Sequence, residues 1–265
     1  MKNFLLLVSI TLFCSVSLAQ KKSKENSTPT PSPNQNTSQT IDNSYLLIYE
    51  RALSYGDFEA AKNAIFNILS KNPNNLAWHD TLVQLYFSAG AYVQCILSGT
   101  DYLAQNDTNV AILEMVAASQ YTLKRYKEAL ESYEKLFKKA HSPYQAYQMA
   151  ICQYMLQRFG ECEASLAFII ADFASDKEAV SIGMANNKTQ QVPLKAAAWN
   201  LRGVIFKDKN NFTEAKSCFE QALKLFPDFE LAKGNVTIVS PADKPVSKEE
   251  VKKAPDTTKK PEPKK

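Results

Sequence analysis

Thirty-four residues separate Gly56, Phe58 and Ala61 from Gly90, Tyr92 and Cys95, and another 34 separate Tyr92 and Cys95 from Tyr126 and Ala129. Phe159 and Cys162 follow 33 residues later, and Phe212 and Ala215 repeat the pair near the other end. Such a period constrains a fold strongly. A unit this short cannot close a core of its own and is stable only when stacked on copies of itself.

Within a unit, apolar residues return at three-and-four spacing over two segments of about a dozen residues, the signature of amphipathic helices. Between Ile41 and Leu231 there is almost no strand signal and there are only six glycines, so the fold class is all-α. The stretch "WNLRGVIFKDKNNFTEAKSCFEQALKLFP", Trp199 to Pro227, shows the logic most clearly. Small Gly203 and Ala215 allow two antiparallel helices to approach. Phe206, Phe212 and Phe219 fill the gap to a neighbouring pair, and Pro227 ends the second helix because it cannot continue the hydrogen-bond ladder.

Trp199, Gly203, Phe206, Phe212, Ala215, Phe219, Ala222 and Pro227 together resemble the tetratricopeptide repeat over a full unit, 196–229. The resemblance implies an α-solenoid of about five helix pairs, with units at 42–75, 76–109, 110–142, 143–176 and 196–229 and an insertion at 177–195, read as a loop on one face. The upstream units depart from the pattern. Gly99 and Asp107 stand where an aromatic and a proline are typical, and units three and four lack the glycine before the bend.

The flanks read differently. "MKNFLLLVSITLFCSVSLAQ" has Lys2, an apolar run from Phe4 to Val16, and small Ser17 and Ala19, the layout of a secretory signal peptide (1–19) cleaved before Gln20. The bulky Phe13 before Cys14 argues against a lipoprotein signal. The expectation is therefore a secreted or periplasmic protein without a lipid anchor. Residues 20–40 lack aromatic and aliphatic side chains and read as a disordered linker, since nothing there offsets the entropy of ordering. From residue 233 to 265, nine lysines, five acidic residues and five prolines read as a disordered tail. The intervening 41–232 is mildly acidic, with 18 basic against 21 acidic residues. The tail suits an anionic envelope surface; secretion argues against nucleic acid.

No catalytic constellation is present in the sequence. His79 and His141 lie in different units without Cys or acidic partners at ligand spacing, and no phosphate-binding or nucleophile-elbow motif occurs. The reading is a non-enzyme with no cofactor and no metal site. Cys95 and Cys162 occupy the small-residue position that Ala61, Ala129 and Ala215 hold in their own units, which suits helix packing. If any bridge forms, Cys152 and Cys162, on the two helices of one unit, are the pair to make it.

In the family the first helix of each unit lines a concave groove. Carried over, its positions fall on Leu46, Glu50 and Leu53; Asp80, Gln84 and Phe87; Glu114, Ala118 and Tyr121; Tyr144, Tyr147, Ile151 and Tyr154; and Asn200, Val204 and Lys207. Phe87, Tyr121, Tyr144, Tyr147, Tyr154 and Asn200 are the candidate partner-binding residues, because aromatic side chains bury much area at low entropic cost. The tyrosines have a second reading as core, which the sequence leaves open. Glu50, Asp80 and Glu114 replace the cations that a carboxylate clamp needs, so an apolar or basic partner segment fits better. The implied function is an exported protein-binding scaffold, in the manner of envelope-assembly proteins. The alternative is a self-associating structural subunit whose exposed ends, such as Leu46, Leu47 and Ile48, make a homo-oligomer.

Overall fold

A computed structural model describes residues 36–184 and 188–240. The expected signal peptide, most of the expected linker and residues 241–265 lie outside the described residues. Ten helices form five antiparallel pairs: α1 (Asn36–Ser54) with α2 (Phe58–Lys71), α3 (Leu76–Ser88) with α4 (Tyr92–Gln105), α5 (Val110–Thr122) with α6 (Tyr126–Ala140), α7 (Pro143–Met155) with α8 (Phe159–Ala171), and α9 (Leu194–Asp208) with α10 (Phe212–Leu225). An eleventh, α11 (Glu230–Val239), closes the stack against α10. The fold is an all-α solenoid.

The bend inside each pair is one repeated device. The backbone N–H of Asp57 reaches Ala52 C=O, Ala91 reaches Tyr86, Arg125 reaches Gln120, Arg158 reaches Gln153 and Asn211 reaches Phe206, all at 2.8–2.9 Å. Each is the long bond of a Schellman motif, which needs a left-handed residue just before the donor. Gly56 and Gly90 supply it without strain at φ 71°. The absent glycine of units three and four is replaced by Lys124 at φ 60° and Gln157 at φ 59°, with Asn210 at φ 58° in unit five. The bend therefore survives without the residue type that signals it.

Turns between pairs are capped by side chains. Asn75 Oδ1 accepts from Trp78 N–H at 3.3 Å, Asn109 Oδ1 from Ile112 N–H at 3.1 Å, and Ser142 Oγ from Tyr144 N–H at 3.1 Å, with Pro143 at the first turn of α7. Inside the stack, Ala61, Cys95, Ala129, Cys162 and Ala215 are fully buried, the role their shared position implies. Gly203 lies beneath the Phe219 ring so closely that a Cβ there would stand 2.5 Å from it. The four cysteines in the folded region, Cys95, Cys152, Cys162 and Cys218, are all free. The Cys162 thiol donates to Ala150 C=O at 3.1 Å, while Cys152 belongs to a different apolar cluster, with Leu113, Ala129 and Tyr133. The Cys152–Cys162 bridge is not made, because these side chains serve two separate cores.

Three expectations are corrected. First, the insertion is not a plain loop: after a 3₁₀ turn, Phe173–Asp176, it forms an antiparallel hairpin, β1 (Ala179–Gly183) with β2 (Thr189–Pro193), in which Val180 faces Val192 and Ile182 faces Gln190. Val180, Ile182 and Val192 join Ala146, Ala150, Leu166, Ala197 and Phe229 in one core, so burial of three alternating apolar residues holds strands too short to announce themselves. Gln190 fastens the hairpin to the turn before α11: its Nε2 donates to Asp228 C=O at 2.6 Å and its Oε1 accepts from Glu230 N–H at 3.2 Å. Second, the folded region does not stop at 232. Asn235 and Val239 are buried in α11, one turn apart on the face that Ala232 begins. Third, the 20–40 linker is shorter than its composition suggests, since α1 starts at Asn36.

Candidate interaction surface

The strong contacts between alternate helices join odd-numbered ones, α3 with α5, α7 with α9 and α9 with α11. The odd helices therefore form the inner layer and the even helices the outer. Asp80, Gln84 and Phe87 follow one another by four and three residues and so form one stripe along α3; Glu114, Ala118 and Tyr121 form the corresponding stripe on α5.

Four of the six candidate residues keep partial access to solvent. Phe87 is half-buried with its ring edge-on to Tyr92 at 6.2 Å. Tyr121 is half-buried and meets Tyr126 at 5.7 Å. Tyr144 is half-buried against the core of the last units. The Tyr154 hydroxyl donates to Asp208 Oδ2 at 2.6 Å, tying α7 to α9. Burial pushes the Tyr121 and Tyr154 hydroxyls well above their ordinary value, and the Asp208 carboxylate adds to the effect at Tyr154.

The other two are corrected. Tyr147, 6% exposed, shares one core with the hairpin's Val180 and Ile182. Asn200, 5% exposed, accepts from Asn235 Nδ2 at 2.9 Å and belongs to the α9–α11 interface. Both stand at groove positions of the repeat, but the hairpin and α11 are additions the repeat lacks. Ala118 and Ile151 are buried as well, whereas Glu50 and Gln84 are exposed.

On α3, α5 and α7 the charges are one-sided. Asp80 is half-buried and accepts hydrogen bonds from Gln84 and, at 3.2 Å, from Asn109 Nδ2. Glu114 is half-buried, and desolvation raises its carboxyl above the usual glutamate range. Among the described residues neither carboxylate has an ion-pair partner, whereas Glu59, Glu161, Glu163, Asp176, Glu220 and Glu230 each do. Helices α3, α5 and α7 contain no Lys or Arg at all. Two carboxylates without an ion pair, each on a stripe that ends two turns further on in a half-buried ring, can receive the cationic side chains of an extended segment while the rings take its apolar ones.

Reactive chemistry is disfavoured at the buried thiols. Burial pushes Cys152 and Cys162 up to about 12 and Cys218 up to about 11, so thiolate is scarce at neutral pH. His79 Nε2 lies 2.6 Å from Pro73 C=O and fastens a turn. No group of three or more metal-ligating side chains occurs among the described residues, and no described helix is long and apolar enough to cross a membrane.

One feature of the outer layer had no reading in the sequence. Phe66, Leu69, Leu82, Tyr86 and Leu97 line an open cleft of about 370 Å³ between α2 and α4. Its signal was register: one and two periods on, Leu97 and Phe66 are answered by Glu131 and Glu134.

Residues 196–229 match the tetratricopeptide repeat family. Several solved structures share the fold. One, described as a tetratricopeptide repeat protein from Parabacteroides merdae, is 17% identical, with a TM-score of 0.57 over 76% of this chain and 72% of its own. YrrB, described as a tetratricopeptide protein with an unusual peptide-binding site, is 14% identical, with a TM-score of 0.57 over 75% of this chain and 96% of its own. The chain has the fold of a tetratricopeptide-repeat solenoid. MamA from Desulfovibrio magneticus, 15% identical with a TM-score of 0.55, aligns with 72% of this chain and 97% of its own. No curated protein matches the chain.

Proposed function

We propose that this solenoid is exported and binds an extended, basic segment of a partner protein along its odd-helix layer, in the service of envelope assembly. The observation that carries the reading is the pair Asp80 and Glu114, in equivalent places on α3 and α5, both without a cation and both on stripes that end in half-buried rings, Phe87 and Tyr121. Such a surface is ordered before the partner arrives, which lowers the cost of binding. The likeness to YrrB adds support, since that protein is described as having a peptide-binding site. Export rests on the N-terminal sequence alone.

The test is site-specific photocrosslinking in the producing cell. A photoreactive residue at exposed Gln84 should give a discrete adduct, one at exposed Glu220 on α10 should not, and Asp80→Lys with Glu114→Lys should abolish the first while helical content is unchanged. Equal adducts from both positions, or indifference to charge reversal, would overturn the reading. Self-association is the second reading, favoured by Leu47 and Ile48 of α1, 66% and 47% exposed. Sedimentation of the chain over a wide concentration range tests it, with monomer throughout ruling it out.

A further inference from the structure

The odd helices carry a ladder of apolar side chains. Leu53 on α1, Phe87 on α3, Tyr121 on α5 and Tyr154 on α7 follow one another at 34, 34 and 33 residues, and each is the next-to-last residue of its helix. Leu53 is 39% exposed and the three rings are half-buried. Each ring meets the first residue of the even helix that follows it: Phe87 with Tyr92 at 6.2 Å, Tyr121 with Tyr126 at 5.7 Å and Tyr154 with Phe159 at 6.1 Å between centroids. The rings are thus held in place by one contact made three times. On α9 the same place in the repeat is taken by Lys207, and the ladder stops.

The interval between rungs selects the occupant. Packed helices lie about 8–10 Å apart, so the rungs recur at about that distance. A β-strand returns a side chain to one face every two residues, about 6.7 Å, and loses step by the second rung. An α-helix, at about 5.4 Å per turn, meets the interval only by skipping alternate turns. A polyproline II helix has three residues per turn at about 3.1 Å each, so one turn, about 9.3 Å, is one rung. Proline favours that backbone, has no N–H to leave unpaired, and offers a compact apolar ring to an aromatic face, a recurrent mode of peptide recognition. The residues between prolines are free to be cationic. Asp80 and Glu114 lie seven residues before Phe87 and Tyr121 on helices that contain no Lys or Arg, and neither has an ion pair among the described residues. Carboxylates without an ion pair occur on other faces of the solenoid as well, so charge does not single this face out; the ladder of rings does.

We propose that the partner segment is a polyproline II helix with proline at every third position, one proline on each of Leu53, Phe87, Tyr121 and Tyr154 and cationic residues between them. Four rungs are then spanned by about ten residues. The proposal rests on the binding face argued above and names the backbone form and the sequence period that this face selects. Such a segment is extended before it binds, so little conformational entropy is lost on docking.

Fluorescence anisotropy of labelled synthetic peptides titrated with the full chain tests it. Three probes are compared: four repeats of Pro-Ala-Lys, a peptide of the same composition whose prolines fall at every second position, and four repeats of Ala-Ala-Lys. The first should bind at least tenfold more tightly than either of the others. Phe87→Leu with Tyr121→Leu, which keeps apolar volume and removes two rings, should abolish that preference while circular dichroism shows the helices intact; Phe87→Leu alone, near the open end of the stack, should reduce it severalfold. Equal affinity for the three peptides, or a preference that survives the loss of the rings, would overturn the proposal. If the three bind alike and all are lost on Asp80→Asn with Glu114→Gln, the polyproline proposal fails and the binding face stands. If none of the three binds, the polyproline proposal fails as well, and the photocrosslinked adduct at position 84 decides the binding face by itself.

Discussion

Asn200 on α9 accepts a hydrogen bond from Asn235 on α11 at 2.9 Å, with both side chains buried. Replacing Asn235 by Ala leaves the Asn200 carbonyl without its partner in a dry interface, which costs about 1–3 kcal/mol. Chemical denaturation of the Asn235→Ala chain should show that loss. A chain ended at Leu231 should lose more, because Ala232, Val236 and Val239 go with it.

Gly203→Ala should destabilise although alanine is the better helix former. The added methyl would meet the Phe219 ring at 2.5 Å, and overpacking of this kind costs about 1–3 kcal/mol. The thermal midpoint is the check. Gly203→Ala combined with Phe219→Leu, which frees the space, should recover part of the loss.

Alkali should unfold the solenoid early. In the folded state Cys152 and Cys162 titrate at about 12 and Cys218 at about 11, against an ordinary 9.0. The unfolded chain therefore releases protons that the folded chain retains, and stability, fully present below about pH 8.5, falls as pH rises toward 12. Midpoints measured from pH 7 to 11 should decline, and the Cys162→Ala chain should decline less steeply.

Glu114→Gln should raise the thermal midpoint at pH 7. Desolvation lifts the Glu114 carboxyl above its unfolded value, so its contribution is favourable only below the ordinary glutamate range and is lost as pH rises through the folded value. The difference between variant and parent should therefore vanish in acid. A carboxylate held against stability is the kind a binding face retains.

The five helix pairs were legible because a period repeats its small and aromatic residues at fixed places, and burial at Ala61, Cys95, Ala129, Cys162 and Ala215 follows from that place whatever the residue. The left-handed bends at Lys124 and Gln157 were not, since the backbone bond that demands them leaves no trace in residue type. The hairpin escaped because Val180, Ile182 and Val192 are too few to set a period, and what fixes them is a core made by distant helices. Composition ended the domain at 232, because Lys233, Gly234 and Asn235 interrupt the apolar pattern, yet the helix runs on to Val239. Of the candidate site, Phe87, Tyr121, Tyr144 and Tyr154 remain on the inner layer, while Tyr147 and Asn200 are taken by the hairpin and by α11, two elements foreign to the repeat.

The hairpin changes how the array comes apart. A plain repeat stack loosens unit by unit from its ends, each unit answering only to its neighbours. Here Val180, Ile182 and Val192 share a core with α7, α8 and α9, and Gln190 grips the turn into α11. Units four and five and the closing helix are thereby joined into a single cooperative block, while α1 to α4 remain an open-ended spring. Slow amide exchange should belong to the block and fast exchange to the spring, so that the acidic inner stripe begins on the part that can breathe, at α3, and runs through α5 toward the rigid anchor without reaching it.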